Sequence, residues 1–240
     1  MIDYKTFEEK FIFYFKEYDI NFIGLNGKII KDFYRFTDYL LCENQKYNLT
    51  SITDIDGIII KHYIDSVIIL KYFDIPENSK IIDIGTGAGF PGLPLSIMRG
   101  DLKITFLDSS NKKINFIKNA AAQAYDLYCG RAEDFGRDLK IRETYDFAVS
   151  RAVARLNILC ELAAAFINPG GYFIAYKSRN AHEEITEAKN AMKMLDLIIE
   201  DVVEFDDINE NKRILIKIKK LNKTSLKYPR KFADITKNPL

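Results

Sequence analysis

The period of the hydrophobic positions changes near residue 75. Before that point, apolar residues recur three or four positions apart, a spacing that predicts helices. Two such series are present: Phe7, Phe11, Tyr14, Phe15 and Tyr18, then Phe33, Phe36, Leu40 and Leu41. We interpret these side chains as helix packing rather than as a base-stacking surface. The pattern predicts an N-terminal helical subdomain over residues 1–75 and a second domain over residues 76–240.

From Lys80 onward, short β-branched runs alternate with amphipathic stretches. This alternation predicts an α/β domain with a mostly parallel sheet. Strands are predicted over 81–84, 103–107, 125–129, 145–150 and 172–176, with a closing pair over 198–205 and 214–218. Residues 168–171 are predicted to form a turn, and residues 181–195 an exposed helix.

A glycine-rich turn follows the first predicted strand, and Pro91 stands where a helix can start. Glycines allow close approach of a ligand, and a helix N-terminus offers free N–H groups. The letters from Gly87 to Gly92 fit the dinucleotide pattern G-x-G-x-x-G. The letters from Asp83 to Gly89 fit the acid-x-G-x-G-x-G turn of S-adenosylmethionine (AdoMet) methyltransferases. Asp83 favours AdoMet, because a carboxylate suits its cationic methionine end and repels a pyrophosphate. A tight turn without any ligand is the third alternative.

Polar residues also follow the later strands. Asp108 ends the second strand about 20 residues past the turn, where an acid accepts both ribose hydroxyls of an adenosine. The loop 130–135 follows the third strand, and its backbone and carboxylate groups are candidates for the adenine edge. Arg151 and Arg155 follow the fourth strand. Because ligands lie beyond the carboxyl ends of parallel strands, we expect these residues around one pocket.

Composition limits the classes of function. The net charge of +1 over 240 residues means that any nucleic-acid binding comes from a local patch. The three cysteines, Cys42, Cys129 and Cys160, are far apart and are interpreted as buried free thiols, which indicates a cytoplasmic protein. With the two histidines they form no metal-ligand spacing, so no metal is expected. We see no membrane span and no signal peptide.

Two further regions are polar. The stretch 44–53, and Lys61, His62, Asp65 and Ser66 on the next predicted helix, are expected to be solvated surface. Near the C-terminus, residues 212–231 contain nine Lys or Arg and no acid. They end in the basic strip Lys227–Phe232, which mixes cations with aromatic rings. A phosphate-contact surface and a solvated edge strand explain this region equally well.

The motifs together resemble a known family. They are Tyr47–Thr50, His62 with Asp65 and Ser66, Asp83–Leu95, Leu107–Ser109, Gly130–Glu133, Ser150–Ala152, Tyr228–Lys231 and Pro239–Leu240. In this order they resemble the bacterial glucose-inhibited division protein B family, the small-subunit ribosomal RNA guanine-N7 methyltransferases. The resemblance implies a class I AdoMet-dependent methyltransferase fold: a Rossmann-like, seven-stranded, mostly parallel sheet with helices on both faces and an N-terminal helical extension. It implies methyl transfer from AdoMet to N7 of a guanine in 16S ribosomal RNA.

The resemblance also implies site residues. By position, the cofactor residues would be Gly85, Phe90, Ala132, Glu133 and Arg151. Gly87 and Asp108 join them on the physical argument above. Arg151 and Arg155 are the candidates for orienting the guanine through O6, with Lys177 behind them. Ser178 stands where the family pattern leads us to expect glycine, so that loop is given no role.

The partner is expected to be ribosomal RNA, naked or in a ribosomal particle, and the protein a monomer. Two other functions stay open from the sequence. One is an NAD(P)-dependent oxidoreductase on a similar fold. The other is a non-catalytic RNA-binding protein with a vestigial pocket.

Overall fold

The structure is a computed structural model that describes residues 3–20, 25–120, 124–207 and 211–240. Two expectations fall partly outside these ranges. They are the break between the first two helices near residues 21–24 and the end of the helix predicted to run to about residue 123. None of the helices in the described ranges is both long and apolar enough to span a membrane.

The two long N-terminal helices begin at residues whose side chains cap them. The carboxylate of Asp3 accepts the backbone N–H of Thr6, and the amide oxygen of Asn26 accepts those of Lys28 and Ile29. The helices are α1 Tyr4–Glu17, α2 Gly27–Tyr47, α3 Ile55–Gly57, a π-helix Ile58–Ile64, α4 Asp65–Val67, α5 Ile69–Tyr72, α6 Gly92–Met98, α7 Asn111–Ala120, α8 Ala132–Phe135, α9 Leu156–Ala164, α10 Ala181–Glu187, α11 Lys189–Met194 and α12 Phe232–Lys237.

The sheet confirms the predicted fold. Its strands are β1 Lys80–Ile84, β2 Lys103–Asp108, β3 Asp126–Cys129, β4 Tyr145–Arg151, β5 Ile167–Ser178, β6 Leu197–Asp206 and β7 Lys212–Lys220. The seven strands lie in the order β3-β2-β1-β4-β5-β7-β6, and only β7 pairs antiparallel with its two neighbours. The strand order reverses between β1 and β4, so a crevice opens beyond their carboxyl ends.

Helices cover both faces of the sheet. Successive β1 residues alternate between two cores, Ile81 in one and Ile82 in the other. The first core also contains the aromatic residues of α1 and α2, of which Phe7 and Phe11 are fully buried. The interpretation of these rings as helix packing is confirmed. The N-terminal helices therefore share a core with one face of the sheet, and the division at residue 75 stays a prediction.

Three expectations about local structure were wrong. Residues 181–195 form two short helices, and Ala188, Ala191 and Leu195 are buried against the sheet. Residues 168–171 lie within β5, where pairing with β4 is irregular, because Gly170 adopts a φ of +88° without ending the strand. Among the cysteines, all free, Cys160 alone is buried, while Cys42 and Cys129 are exposed.

Candidate active site

Two neighbouring cavities open beyond the carboxyl ends of the strands. The acidic cavity, of about 330 Å³, is lined by Asp108 and Glu133 among others. The arginine cavity, of about 590 Å³, is lined by Arg151, Arg155 and Arg213 among others. Ala152 and Val153 line both cavities and separate them. Ala152 has a φ of +58°, an unusual value for a residue with a side chain, and it turns the chain immediately after β4.

The glycine turn after β1 is built around a buried carboxylate. Asp83 is fully buried, and its Oδ2 accepts hydrogen bonds from Thr86 Oγ1 at 2.6 Å and Gly92 N at 2.9 Å. Burial raises the pKa of Asp83 to about 7. Its Oδ1 has no hydrogen-bond partner within the described residues. From the sequence we expected this carboxylate to contact the ligand. In the structure its Oδ2 holds the glycine turn in place, and its Oδ1 has no partner among the described residues.

Asp108 connects the turn to the next helix. Its Oδ2 accepts from Gly87 N at 2.9 Å, its Oδ1 accepts from Ser110 N at 2.9 Å, and Lys113 Nζ lies 3.5 Å away. The side chain is 7% exposed and faces the acidic cavity. Carboxylate oxygens have lone pairs beyond those used here, so Asp108 can still accept from ligand hydroxyls.

Glu133 lies across the acidic cavity from the turn, next to Ala132 at the start of α8. The side chain is 6% exposed, and no hydrogen bond or ion pair is found for its carboxylate in the part of the chain that the structure describes. Its oxygens are not among the atoms shielded from solvent, so they face the cavity, where they can accept hydrogen bonds from a ligand. Asp108 and Glu133, two carboxylates that can accept hydrogen bonds, fit the adenosine part of the AdoMet predicted from the sequence, whereas the fully buried Asp83 lines neither cavity.

Arg151, at the end of β4, lies in the arginine cavity and not in the acidic one. It donates from Nη1 to Asp65 Oδ2 at 2.8 Å and to the Lys61 carbonyl at 3.0 Å. Its guanidinium carbon lies 5.2 Å from the centre of the Phe90 ring. Phe90 is buried beneath Arg151 and lines neither of the two cavities.

His62 belongs to this cluster, and the expectation that it is solvated was wrong. The ring is 9% exposed and stacks on Phe90 at a centroid distance of 4.4 Å. Its Nε2 lies 2.8 Å from Thr50 Oγ1, and its Nδ1 lies 3.5 Å from Arg151 Nη2. Burial and the adjacent guanidinium lower the pKa of His62 to about 3. A neutral ring with its proton on Nε2 satisfies both contacts, because Arg151 can only donate.

His62 lies in the π-helix and Asp65 follows it directly at the start of α4, and both line the arginine cavity. Wider helical turns of this kind are rare and occur frequently at functional sites. Ser66, also expected on the surface, is fully buried and donates to the His62 carbonyl. Composition and periodicity did not reveal this burial. The one indication in the sequence was the presence of His62, Asp65 and Ser66 among the motifs of the resemblance.

Arg213, on β7, was not predicted as a site residue. It contacts Asp65 Oδ1 at 3.2 Å and Asp207 Oδ2 at 3.1 Å, so that Asp65 bridges Arg151 and Arg213. The other predicted cations of the arginine cavity are also paired. Arg155 binds Glu187 at 2.6 Å, and Lys177 binds Glu184 at 2.6 Å.

The structure therefore places the predicted site residues in two different cavities. Those that line the acidic cavity are Gly85, Asp108, Ala132 and Glu133. Gly87 supports Asp108 through its backbone N–H. Arg151 and Arg155 line the arginine cavity. The described residues contain no group of three or more His, Cys, Asp or Glu suited to hold a metal ion.

Comparison with known proteins identifies the family. The family model described as rRNA small subunit methyltransferase G matches residues 29–215. The chain belongs to this family. A ribosomal RNA small subunit methyltransferase G from Clostridium kluyveri is 43% identical over 229 residues, covering 94% of this chain and 95% of that protein. One from a Thermoanaerobacter species is 44% identical over 219 residues, covering 88% and 90%.

Solved structures support the fold. The geranyl diphosphate C-methyltransferase from Streptomyces coelicolor, crystallised with S-adenosyl-L-homocysteine, matches with a TM-score of 0.51 at 12% identity, covering 65% of this chain and 78% of that one. TrmN from Thermus thermophilus matches with a TM-score of 0.51 at 16% identity, covering 65% and 48%. The predicted family and the predicted class I methyltransferase fold are both confirmed.

Proposed function

We propose that the protein transfers the methyl group of AdoMet to N7 of a guanine in 16S ribosomal RNA. The observation that carries this proposal is the pair of adjoining cavities, one with carboxylates for a cationic adenosine and one with arginines, separated only by Ala152 and Val153. Membership of the methyltransferase G family supports it and argues against the oxidoreductase and non-catalytic alternatives.

The donor residues are assigned as follows. Asp108 would accept from the ribose hydroxyls, and Ala132 and Glu133 would contact the adenine edge. Gly85 and Gly87 shape the turn that approaches the ligand, while Arg151 would adjoin its methionine end from the arginine cavity and Phe90 would support Arg151 from beneath. When bound, AdoMet supplies a methyl group activated by a positively charged sulfur.

The acceptor side requires no general base. Guanine N7 has a lone pair and no proton, so the protein must orient the base and exclude water. The absence of a base is consistent with His62, whose pKa of about 3 makes its neutral ring too weak a base to take up a proton near neutral pH. Arg151 and Arg155 would donate to guanine O6, which accepts hydrogen bonds. Arg155 is 47% exposed and would have to leave Glu187 to do so.

The basic strip is proposed to contact RNA phosphates through Lys227 and Lys231, which are both exposed. Arg230 is excluded from this role, because it is bound to the fully buried Glu161 at 2.6 Å. Lys217 and Lys219 of β7 are likewise paired with Glu200. A monomeric state and a cytoplasmic location stay predictions from the sequence.

The decisive experiment measures transfer of a labelled methyl group from AdoMet. The acceptors are protein-free 16S ribosomal RNA and assembled small subunits, both from cells that lack the modification, followed by digestion to nucleosides. We expect label in N7-methylguanosine, and the better acceptor shows at which stage of assembly the enzyme acts. Label in another nucleoside, or in neither acceptor, would contradict the proposed target.

A further inference from the structure

The chain beyond β7 is anchored to the sheet domain by buried charges. The guanidinium of Arg142, 7% exposed, donates to the carbonyls of Thr224 at 2.8 Å and Tyr228 at 2.9 Å. Arg230 forms a two-pronged ion pair with Glu161 on α9. Ile235 on α12 is fully buried. These contacts fix where the C-terminal segment lies.

This anchoring brings Phe232 to the acidic cavity, over 120 residues away in sequence from Asp108. Its ring is 36% exposed, and the guanidinium carbon of Arg131 lies 5.3 Å from the ring centre. Among the described residues, Phe232 is the only aromatic side chain that lines this cavity. The ring is therefore a partly exposed apolar surface beside the predicted adenosine position.

The other predicted contacts reach only the edge of the adenine ring and not its two faces. Glu133 and the backbone at Ala132 are groups for hydrogen bonds to the adenine edge, whereas the two flat faces of the ring require apolar or aromatic walls. An aromatic side chain that contacts a base by stacking contributes substantially to affinity. Apolar side chains that also line the cavity include Leu107, Val153 and Leu162.

We propose that Phe232, presented by the C-terminal segment, forms a wall against the adenine of the methyl donor and so determines affinity for its adenosine part. This inference rests on the proposed function for the identity of the donor. It also gives the C-terminal segment two roles, since Lys227 and Lys231 of the same segment are exposed and are proposed to contact RNA.

The test is calorimetric binding of S-adenosylhomocysteine, without RNA, to the full chain and to Phe232→Ala. We expect Kd to rise about tenfold, equivalent to about 1.4 kcal/mol. Phe232→Trp, which retains an aromatic face, should stay within about threefold of the original chain. Leu226→Ala is the matched control, because Leu226 is an apolar residue of the same segment, 75% exposed and outside the cavity, and its removal should leave Kd unchanged.

Adenosine alone provides the second arm. If Phe232 contacts the adenosine part, Phe232→Ala must weaken adenosine by the same factor as S-adenosylhomocysteine. An unchanged Kd for Phe232→Ala, a loss confined to S-adenosylhomocysteine, or a Phe232→Trp variant that folds but binds as poorly as the alanine variant would overturn the inference. Those results would leave the proposed function intact, whereas failure of the unmodified chain to bind S-adenosylhomocysteine would contradict the proposed donor itself.

Discussion

The acidic and arginine cavities adjoin each other but are constructed differently. Most of the acidic cavity comes from one contiguous stretch, from the β1 turn to α8, and its Glu133 carboxylate lacks a partner among the described residues. The arginine cavity combines the π-helix, the end of β4 and β7, and its arginines are all ion-paired. A cavity with unpaired charge is prepared for an oppositely charged ligand, whereas a cavity with paired charges must exchange partners when a substrate enters.

This difference explains why the residues that line the acidic cavity were easier to bring together from the sequence. A turn followed by a helix and an acid 20 or so residues later is a local arrangement that one strand-turn-helix unit specifies. Charge pairing across the acceptor site needs residues that the sheet brings together from far apart, such as Asp65 and Arg213.

The largest expected effect is on the donor side. Gly85 has a φ of +70°, and a Cβ there would overlap the Val153 side chain. Gly85→Asp should therefore reduce S-adenosylhomocysteine affinity more than 100-fold in calorimetry, because both the turn and the wall between the cavities must move.

Gly87→Ala is the matched control for this prediction. Gly87 has a similar φ of +62°, but nothing lies within 4 Å of a Cβ at that position. Backbone strain alone should lower the free energy of unfolding by about 1 kcal/mol and leave the affinity within about tenfold. Equal losses at the two positions would mean that strain, and not the Val153 contact, controls the turn.

On the acceptor side, Arg151→Ala should lower kcat/KM for methyl transfer at least 100-fold. It removes the contacts to Asp65, the Lys61 carbonyl and Phe90 together. Arg155→Ala should lower it about tenfold, because its guanidinium is exposed and bound to Glu187. The measurement is initial rate on ribosomal RNA at saturating AdoMet. A larger loss for Arg155→Ala than for Arg151→Ala would reverse our assignment of the principal contact.

Arg230→Ala should affect stability rather than RNA recognition. It leaves the fully buried Glu161 without its guanidinium partner, a change that costs about 3 kcal/mol in similar cases. Urea unfolding should show this loss, and Arg230→Lys should recover only part of it, because an ammonium cannot form the same two-pronged pair.

The double variant Lys227→Ala, Lys231→Ala gives the opposite pattern. Its unfolding free energy should be within about 0.5 kcal/mol of that of the original chain, as for other surface substitutions. Its RNA affinity should fall and depend less steeply on salt, since about two phosphate contacts are lost. An unchanged salt dependence would identify the basic strip as a solvated edge.

The smallest effect concerns His62 and pH. Its pKa falls from an ordinary 6.5 to about 3 in the folded protein, so below pH 6.5 the unfolded chain binds a proton that the folded chain does not. Stability is therefore lost as pH falls from about 6.5 toward 3, and His62 accounts for about 1 kcal/mol between pH 7 and 5.5.

His62→Asn should lack this part of the pH dependence of the unfolding free energy. His182→Asn is the control, because the His182 side chain is 64% exposed and pairs with Glu204 at the surface. If the two variants show the same slope between pH 7 and 5.5, His62 is not buried in the neutral form that the structure gives it.

The sequence by itself determined the strands β1 to β7, the glycine turn, and the acid Asp108 near it, whereas Glu133 was named through the family resemblance. These features depend on periodicity and on short-range geometry, which neighbouring residues specify. The family followed from the order of several short motifs, and comparison with known proteins confirmed it.

Only the tertiary structure decided which polar groups are buried and which charges are paired. His62 and Ser66 are polar residues on a helix, and their sequence neighbours do not distinguish them from solvated residues. In the folded protein both are buried, and the His62 ring stacks on Phe90. In the sequence Arg230 is a cation of the basic strip like Lys227 and Lys231, but in the structure it is paired with Glu161 of α9. Phe232 lines the acidic cavity because the C-terminal segment folds back onto the sheet domain. The physical reason is that burial and electrostatic pairing depend on distances in space, and here the partners lie far apart along the chain.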